Sequence, residues 1–198
     1  MTRDRITVVE AELSIVELAR ALRIAPGDAI EKFRDPRVVS WFAEIWGERL
    51  FGYKKHLSSN HPGSDAAIDL GSLGRFDISV RCFCRNTIKF QKSKFIGSGR
   101  SATGEDLIAS LEAVERFVIV DLRRFPRLRF VPLDSKALLR LIRQGKLTVS
   151  GISPRRFDTW LNAMFEVTTV RTDLAGGVAL PDEVPMARVR PQKEAVLF

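Results

Sequence analysis

Asp65, Asp69 and Asp77 stand close together in the chain, and from Ile78 to Gly104 no further Asp or Glu occurs. The acid-free run carries Arg81, Arg85, Lys89, Lys92, Lys94 and Arg100. Clustered carboxylates can hold a divalent cation such as Mg²⁺, which needs only one or two of them beside phosphate oxygens and water. Cations without intervening acids can hold a phosphate backbone. The chemistry within reach of these residue types is nucleic-acid binding and metal-assisted attack on a phosphodiester.

The acids need a scaffold. DAAIDL, the turn Gly71-Ser72-Leu73-Gly74 and RFDISVRCF read as a β-hairpin. Folded about the middle of that turn, it brings Asp69 opposite or near Asp77 and Asp65 near Arg81. Alternation on a strand puts Asp77, Ser79 and Arg81 on one face. Such a face lies in a cleft, or its acids pair with Arg75, Arg81 and Arg85, because buried unpaired charge is costly. A solvated hairpin with cross-strand ion pairs fits the same residues. The basic run likewise has two readings. Gly97, Ser98 and Gly99 let backbone N–H groups approach a phosphate that Arg100 clamps, or TIKFQKSKF is an edge strand protected by lysine. Arg123, Arg124, Arg127, Arg129 and Arg140 extend the positive field or form ordinary surface.

Around the hairpin the pattern is mixed. Ser14 with Glu17 starts a helix through Leu22, and a second follows Pro26-Gly27-Asp28. Asp35-Pro36 opens a longer helix with Val38, Phe42, Ile45, Trp46 and Leu50 on its apolar stripe, fading between Gly52 and His56. Thr103 with Asp106 starts another helix; RFVIVDL and LRFVPL read as strands. Helices follow from Asp134 to Gly145 and from Ser153-Pro154. Trp41, Trp46 and Trp160 sit at helical core spacing. The expectation is an α/β sandwich with a central mixed sheet: a helical extension over 1–34, a core over 35–170, and an extended or mobile tail over 171–198.

The net charge of +8 and pI near 10.0 point to a polyanionic partner, nucleic acid before an anionic membrane surface. No run approaches the roughly 18 apolar residues of a membrane span. The opening MTRDRITVVEAEL carries acids where a signal peptide needs an apolar run. A cytoplasmic chain with no membrane partner is expected. Cys82 and Cys84 are poor disulfide partners, and with His56 and His61 they lack zinc-finger spacing.

The order helix, three strands, helix, strand, with HPGSDAAIDLGSLGRFDISVRCF inside it, resembles the PD-(D/E)XK, or restriction endonuclease-like, nuclease superfamily over roughly residues 35–142. Asp65, after Pro62-Gly63-Ser64, resembles the metal-binding aspartate. Ser79-Val80-Arg81 stands where Glu-x-Lys is expected, and Glu44 resembles the acid of the preceding helix. The resemblance implies a restriction endonuclease-like fold, Mg²⁺ held by Asp65 with Asp69 or Asp77, and catalysis by Asp65, Ser79, Arg81 and Glu44. It also implies a DNA partner, for which Arg85, Lys89, Lys92, Lys94 and Arg100 of the acid-free run are the candidate contacts, and assembly as a homodimer. Two departures stand out. Ser79 replaces a carboxylate, and Arg81 replaces a lysine with a group that stays protonated. Glu105, Asp106 or Glu112 is positioned in sequence to supply the missing acid, and Lys89 the missing amine. Two functions follow: a Mg²⁺-dependent DNA endonuclease with a variant site, or a non-catalytic DNA- or RNA-binding or assembly module on a degenerate nuclease fold. Gln192–Phe198 resembles peptides that dock on the bacterial sliding clamp, and also suits a tail folding onto its own core.

Overall fold

The computed structural model describes residues 3–56, 64–83, 87–91 and 101–173. Polar caps start helices where the sequence places them. Ser14 Oγ accepts from the Glu17 amide at 3.3 Å and opens α1 (Ile15–Leu22). Pro26 is the first residue of α2 (Pro26–Phe33), and Pro36 of α3 (Pro36–Phe51). Thr103 and Asp106 form a reciprocal capping box at α4 (Gly104–Glu112). The Asp134 carboxylate caps α5 (Ser135–Arg143), and Pro154 begins α6 (Pro154–Met164).

The strands are β1 (Asp4–Glu12), β2 (Lys54–Lys55), β3 (Ala66–Asp69), β4 (Arg75–Phe83), β5 (Arg116–Asp121), β6 (Arg127–Asp134) and β7 (Phe165–Asp173). Among the described residues they form one mixed seven-stranded sheet in the order β2-β3-β4-β5-β6-β1-β7. Strand pairs β2–β3, β3–β4, β5–β6 and β1–β6 are antiparallel; β4–β5 and β1–β7 are parallel. A parallel β4–β5 pair requires a crossover, and α4 lies within it.

Side-chain alternation splits the core in two. Val9, Ile78, Val80, Val118, Val120 and Phe130 pack with α1–α3, while Val8, Phe83, Phe117, Ile119, Val131 and Leu133 pack with α4–α6. An α/β sheet flanked by helices matches the expected class.

The boundaries differ from those expected. Residues 1–34 do not form a helical extension alone, because β1 lies inside the sheet between β6 and β7. Its apolar residues are buried from both faces, so the alternation that marks a half-buried strand is lost. β7 carries the sheet through Asp173, past the expected limit at 170. The expected strand TIKFQKSKF is not a strand in its described part; Ile88 makes an isolated bridge to Ile152, and Phe90 and Gln91 are buried. The first of three consecutive strands is instead the two-residue β2, too short to leave a periodic signal.

Candidate functional site

The 3-10 turn Gly71–Leu73 sets the hairpin register: Asp69 pairs with Arg75, Ala67 with Asp77 and Ala66 with Ile78. Asp69 is therefore not opposite Asp77, and its Oδ1 accepts from the Gly71 amide at 2.9 Å as a turn-closing bond. Four residues of strand place it about 13 Å from Asp65. The Asp77 backbone amide donates to Glu115 Oε2 at 2.8 Å, and in the register its partner is Ala67 rather than an acid. Thus the three aspartates do not converge, and the described residues contain no group of three His, Cys, Asp or Glu placed to hold a metal ion.

Asp65 does meet Ser79 and Arg81. Its amide donates to the Ile78 carbonyl at 2.9 Å, which brings its side chain against β4. Asp65 Oδ2 then accepts from Ser79 Oγ at 2.8 Å, Val80 N at 2.7 Å and Arg81 Nη1 at 3.2 Å. Arg81 Nη1 also donates to the Val80 carbonyl at 2.9 Å. Ser79 is buried, and the Asp65 and Arg81 side chains are 31% and 22% exposed, so solvent screens the ion pair only in part. Arg81 Nε is buried and has no hydrogen-bond partner among the described residues.

Glu44 comes to the same place from α3. Its carboxylate binds Lys55 Nζ at 2.6 Å, and on the next turn Glu48 lies 3.8 Å from Lys54 Nζ. Burial raises the Glu44 pKa above the ordinary carboxylate value, the Lys55 hydrogen bond and charge lower it, and the charges of Asp65 and Arg81 act on it with opposite signs. The result is a mixed cluster of two carboxylates and two cations. Tyr53 underpins it: the buried phenol donates from Oη to the Glu44 carbonyl at 2.8 Å, and burial raises its pKa above the usual phenol value. Nearby, His56 N donates to the Asp65 carbonyl at 3.2 Å, and His56 Nε2 lies 2.9 Å from Ser64 Oγ.

Sequence reasoning missed Lys55. A lysine directly after a helix reads as solvated, and only the β2–β3 register, with Lys55 opposite Ala66, turns it toward Glu44. Among the proposed substitutes for the missing acid, Asp106 is committed to capping α4, while Glu105 and Glu112 are exposed on that helix. Lys89 is exposed. Arg85, Lys92, Lys94, Arg100, Cys84, His61 and the Gln192–Phe198 peptide lie outside the described residues.

A groove of about 750 Å³ lies elsewhere on the sheet, lined by Arg123, Arg124, Arg127, Arg129 and Arg171 together with Glu10, Glu12, Asp121 and Asp158. Its cations are largely matched: Arg123 bonds Asp121, Arg129 Nη1 meets Asp158 at 2.6 Å, Arg127 Nε meets Glu12 at 3.3 Å and Arg171 Nε meets Glu10 at 3.6 Å. No helix among the described residues is long and apolar enough to cross a membrane. The chain matches no family model, no curated protein and no solved structure.

Proposed function

We propose that this chain is a nucleic-acid-binding protein, with DNA the first candidate, built on a restriction endonuclease-like core whose site binds rather than cuts. One observation supports it above the others: Asp65 meets Ser79 and Arg81, the residues standing at the motif's tripeptide, in a succession α3-β2-β3-β4-α4-β5 of helix, three strands, helix and strand. The net charge of +8 supports a polyanionic partner.

The chemistry of the cluster favours binding. A single Asp65 oxygen already takes three donors, one from a guanidinium, and Glu44 is neutralised by Lys55. As arranged, this donor set does not fit a resident Mg²⁺. Ser79 offers a neutral hydroxyl where a carboxylate would ligate, and Arg81 cannot accept a proton from water. Lys55 and Arg81 keep further N–H donors for phosphate oxygens.

A second reading, Mg²⁺-dependent endonuclease, is favoured by one observation. Glu44 feels the charge of Asp65, so two carboxylates lie in one another's field.

Binding and cleavage of duplex, single-stranded and branched DNA, and of RNA, separate the two. The binding reading expects an affinity that falls steeply with salt, and intact substrate in Mg²⁺ or Mn²⁺. Metal-dependent cleavage that disappears in Asp65→Asn establishes the endonuclease instead. Absent or salt-insensitive binding overturns both.

A further inference from the structure

Trp41 departs from the core role its helical spacing suggests: the residue is 54% exposed, whereas Trp46 and Trp160 are 8% and 2% exposed. Exposure of a large indole at the rim of a charged cluster calls for a reason. Trp41 lies three residues before Glu44 on α3, and so on the same helix face. Lys55 joins the two, its Nζ 5.3 Å from the Trp41 ring centroid and 2.6 Å from Glu44 Oε2. The indole is also braced from below. It meets Phe42 edge-on at 5.0 Å and 77°, and Phe42 stands between Phe33 at 5.2 Å and Trp46 at 5.7 Å. An open aromatic surface is therefore held in place beside an ammonium that can bond a phosphate.

We propose that Trp41 is a stacking platform for an unpaired base, which makes the substrate class a single-stranded or locally unpaired nucleic acid. The proposal rests on the nucleic-acid reading above and names its substrate. A base has a π-face to offer only when it has left the duplex stack, so stacking selects unpaired strands without reading sequence. Phosphate contacts from Lys55 and Arg81 would bind any backbone; Trp41 adds the preference. Val38, on the same helix face and 38% exposed, would instead join Trp41 in an apolar contact between proteins, an alternative the test separates.

Tryptophan fluorescence follows the proposal directly, because Trp46 and Trp160 are buried and solution quenchers report mainly Trp41. Titration with a single-stranded oligonucleotide is expected to quench this signal and shield it from acrylamide; the duplex and an abasic strand of equal length are expected to do so weakly. This comparison uses the intact wild-type protein. In Trp41→Ala the single-strand affinity is expected to fall about tenfold, with duplex affinity and the salt slope unchanged, and Trp41→Phe is expected to restore part of it.

Equal quenching and affinity for base-bearing and abasic strands, with salt-dependent binding intact, overturns the platform and leaves the nucleic-acid reading standing. Unchanged oligonucleotide affinity in Trp41→Ala, with a dimer becoming a monomer in sedimentation, assigns the ring to a protein contact and also overturns it. No binding to any nucleic acid overturns both readings.

Discussion

Asp65 Oδ2 and Arg81 Nη1 lie 3.2 Å apart across the first pairing of β3 with β4, and the same oxygen accepts from the Val80 amide. β3 starts at Ala66, so the Asp65 side chain accepts from a β4 amide just where backbone pairing begins. The carboxylate therefore closes a sheet ladder as well as holding a guanidinium.

Removing that carboxylate leaves three donors unmatched, one on an arginine whose Nε is already buried without a partner among the described residues. Asp65→Ala is expected to lose about 1–3 kcal/mol of stability, moderated by the partial exposure of the pair. Asp65→Asn keeps an acceptor and loses less. Urea denaturation measures both, and wild-type stability in Asp65→Ala would mean that these bonds do not hold the hairpin in solution.

Glu44 predicts a pH dependence. Its native pKa is raised above 4.5, chiefly by burial. The folded protein holds that proton more tightly than the unfolded chain, so the contribution is fully present below the unfolded value and lost as pH rises through the folded value. Wild type should lose stability relative to Glu44→Gln over that interval. Paired denaturation curves across the acid range check the slope, and an opposite slope would show that the Lys55 bond outweighs burial.

Gly47 gives Tyr53 its room: a Cβ at Gly47 would stand 2.1 Å from the Tyr53 hydroxyl oxygen. Gly47→Ala should force the phenol away from the Glu44 carbonyl and destabilise by about 1–3 kcal/mol. Adding Tyr53→Phe removes the clashing oxygen and should recover part of the loss. A double-mutant cycle by thermal unfolding tests this coupling.

Gly151 fixes the bridge at Ile88. It has φ +90°, and a Cβ there would lie 2.2 Å from the Ile88 carbonyl oxygen. Gly151→Ala should separate the Ile88 and Ile152 backbones, which exchange hydrogen bonds of 3.0 and 3.1 Å, at a cost of about 1–3 kcal/mol. Hydrogen exchange of these two amides should accelerate more than that of the β5 amides.

Local signals carried far in this chain. Ser14, Thr103, Asp134 and the prolines at 26, 36 and 154 announce helix starts through short-range bonds and a fixed φ, and the structure places them there. RFVIVDL is legible as a strand because its apolar residues are continuous and β-branched, which suits burial on both faces. Nothing local marks β2, two residues long, or identifies β1 as an inner strand, since its partners are β6 and the distant β7.

The candidate site divides along the same line. Sequence alone determined that Asp65, Ser79 and Arg81 share a hairpin, because strand alternation and one turn suffice to bring them near. Only the tertiary structure decided which acids belong with them. The turn register sent Asp69 to Arg75, the β2–β3 pairing brought Lys55 to Glu44, and the packing of α3 left Trp41 open while burying Trp46. Each of those outcomes depends on contacts between separate elements, which residue spacing along one element cannot encode.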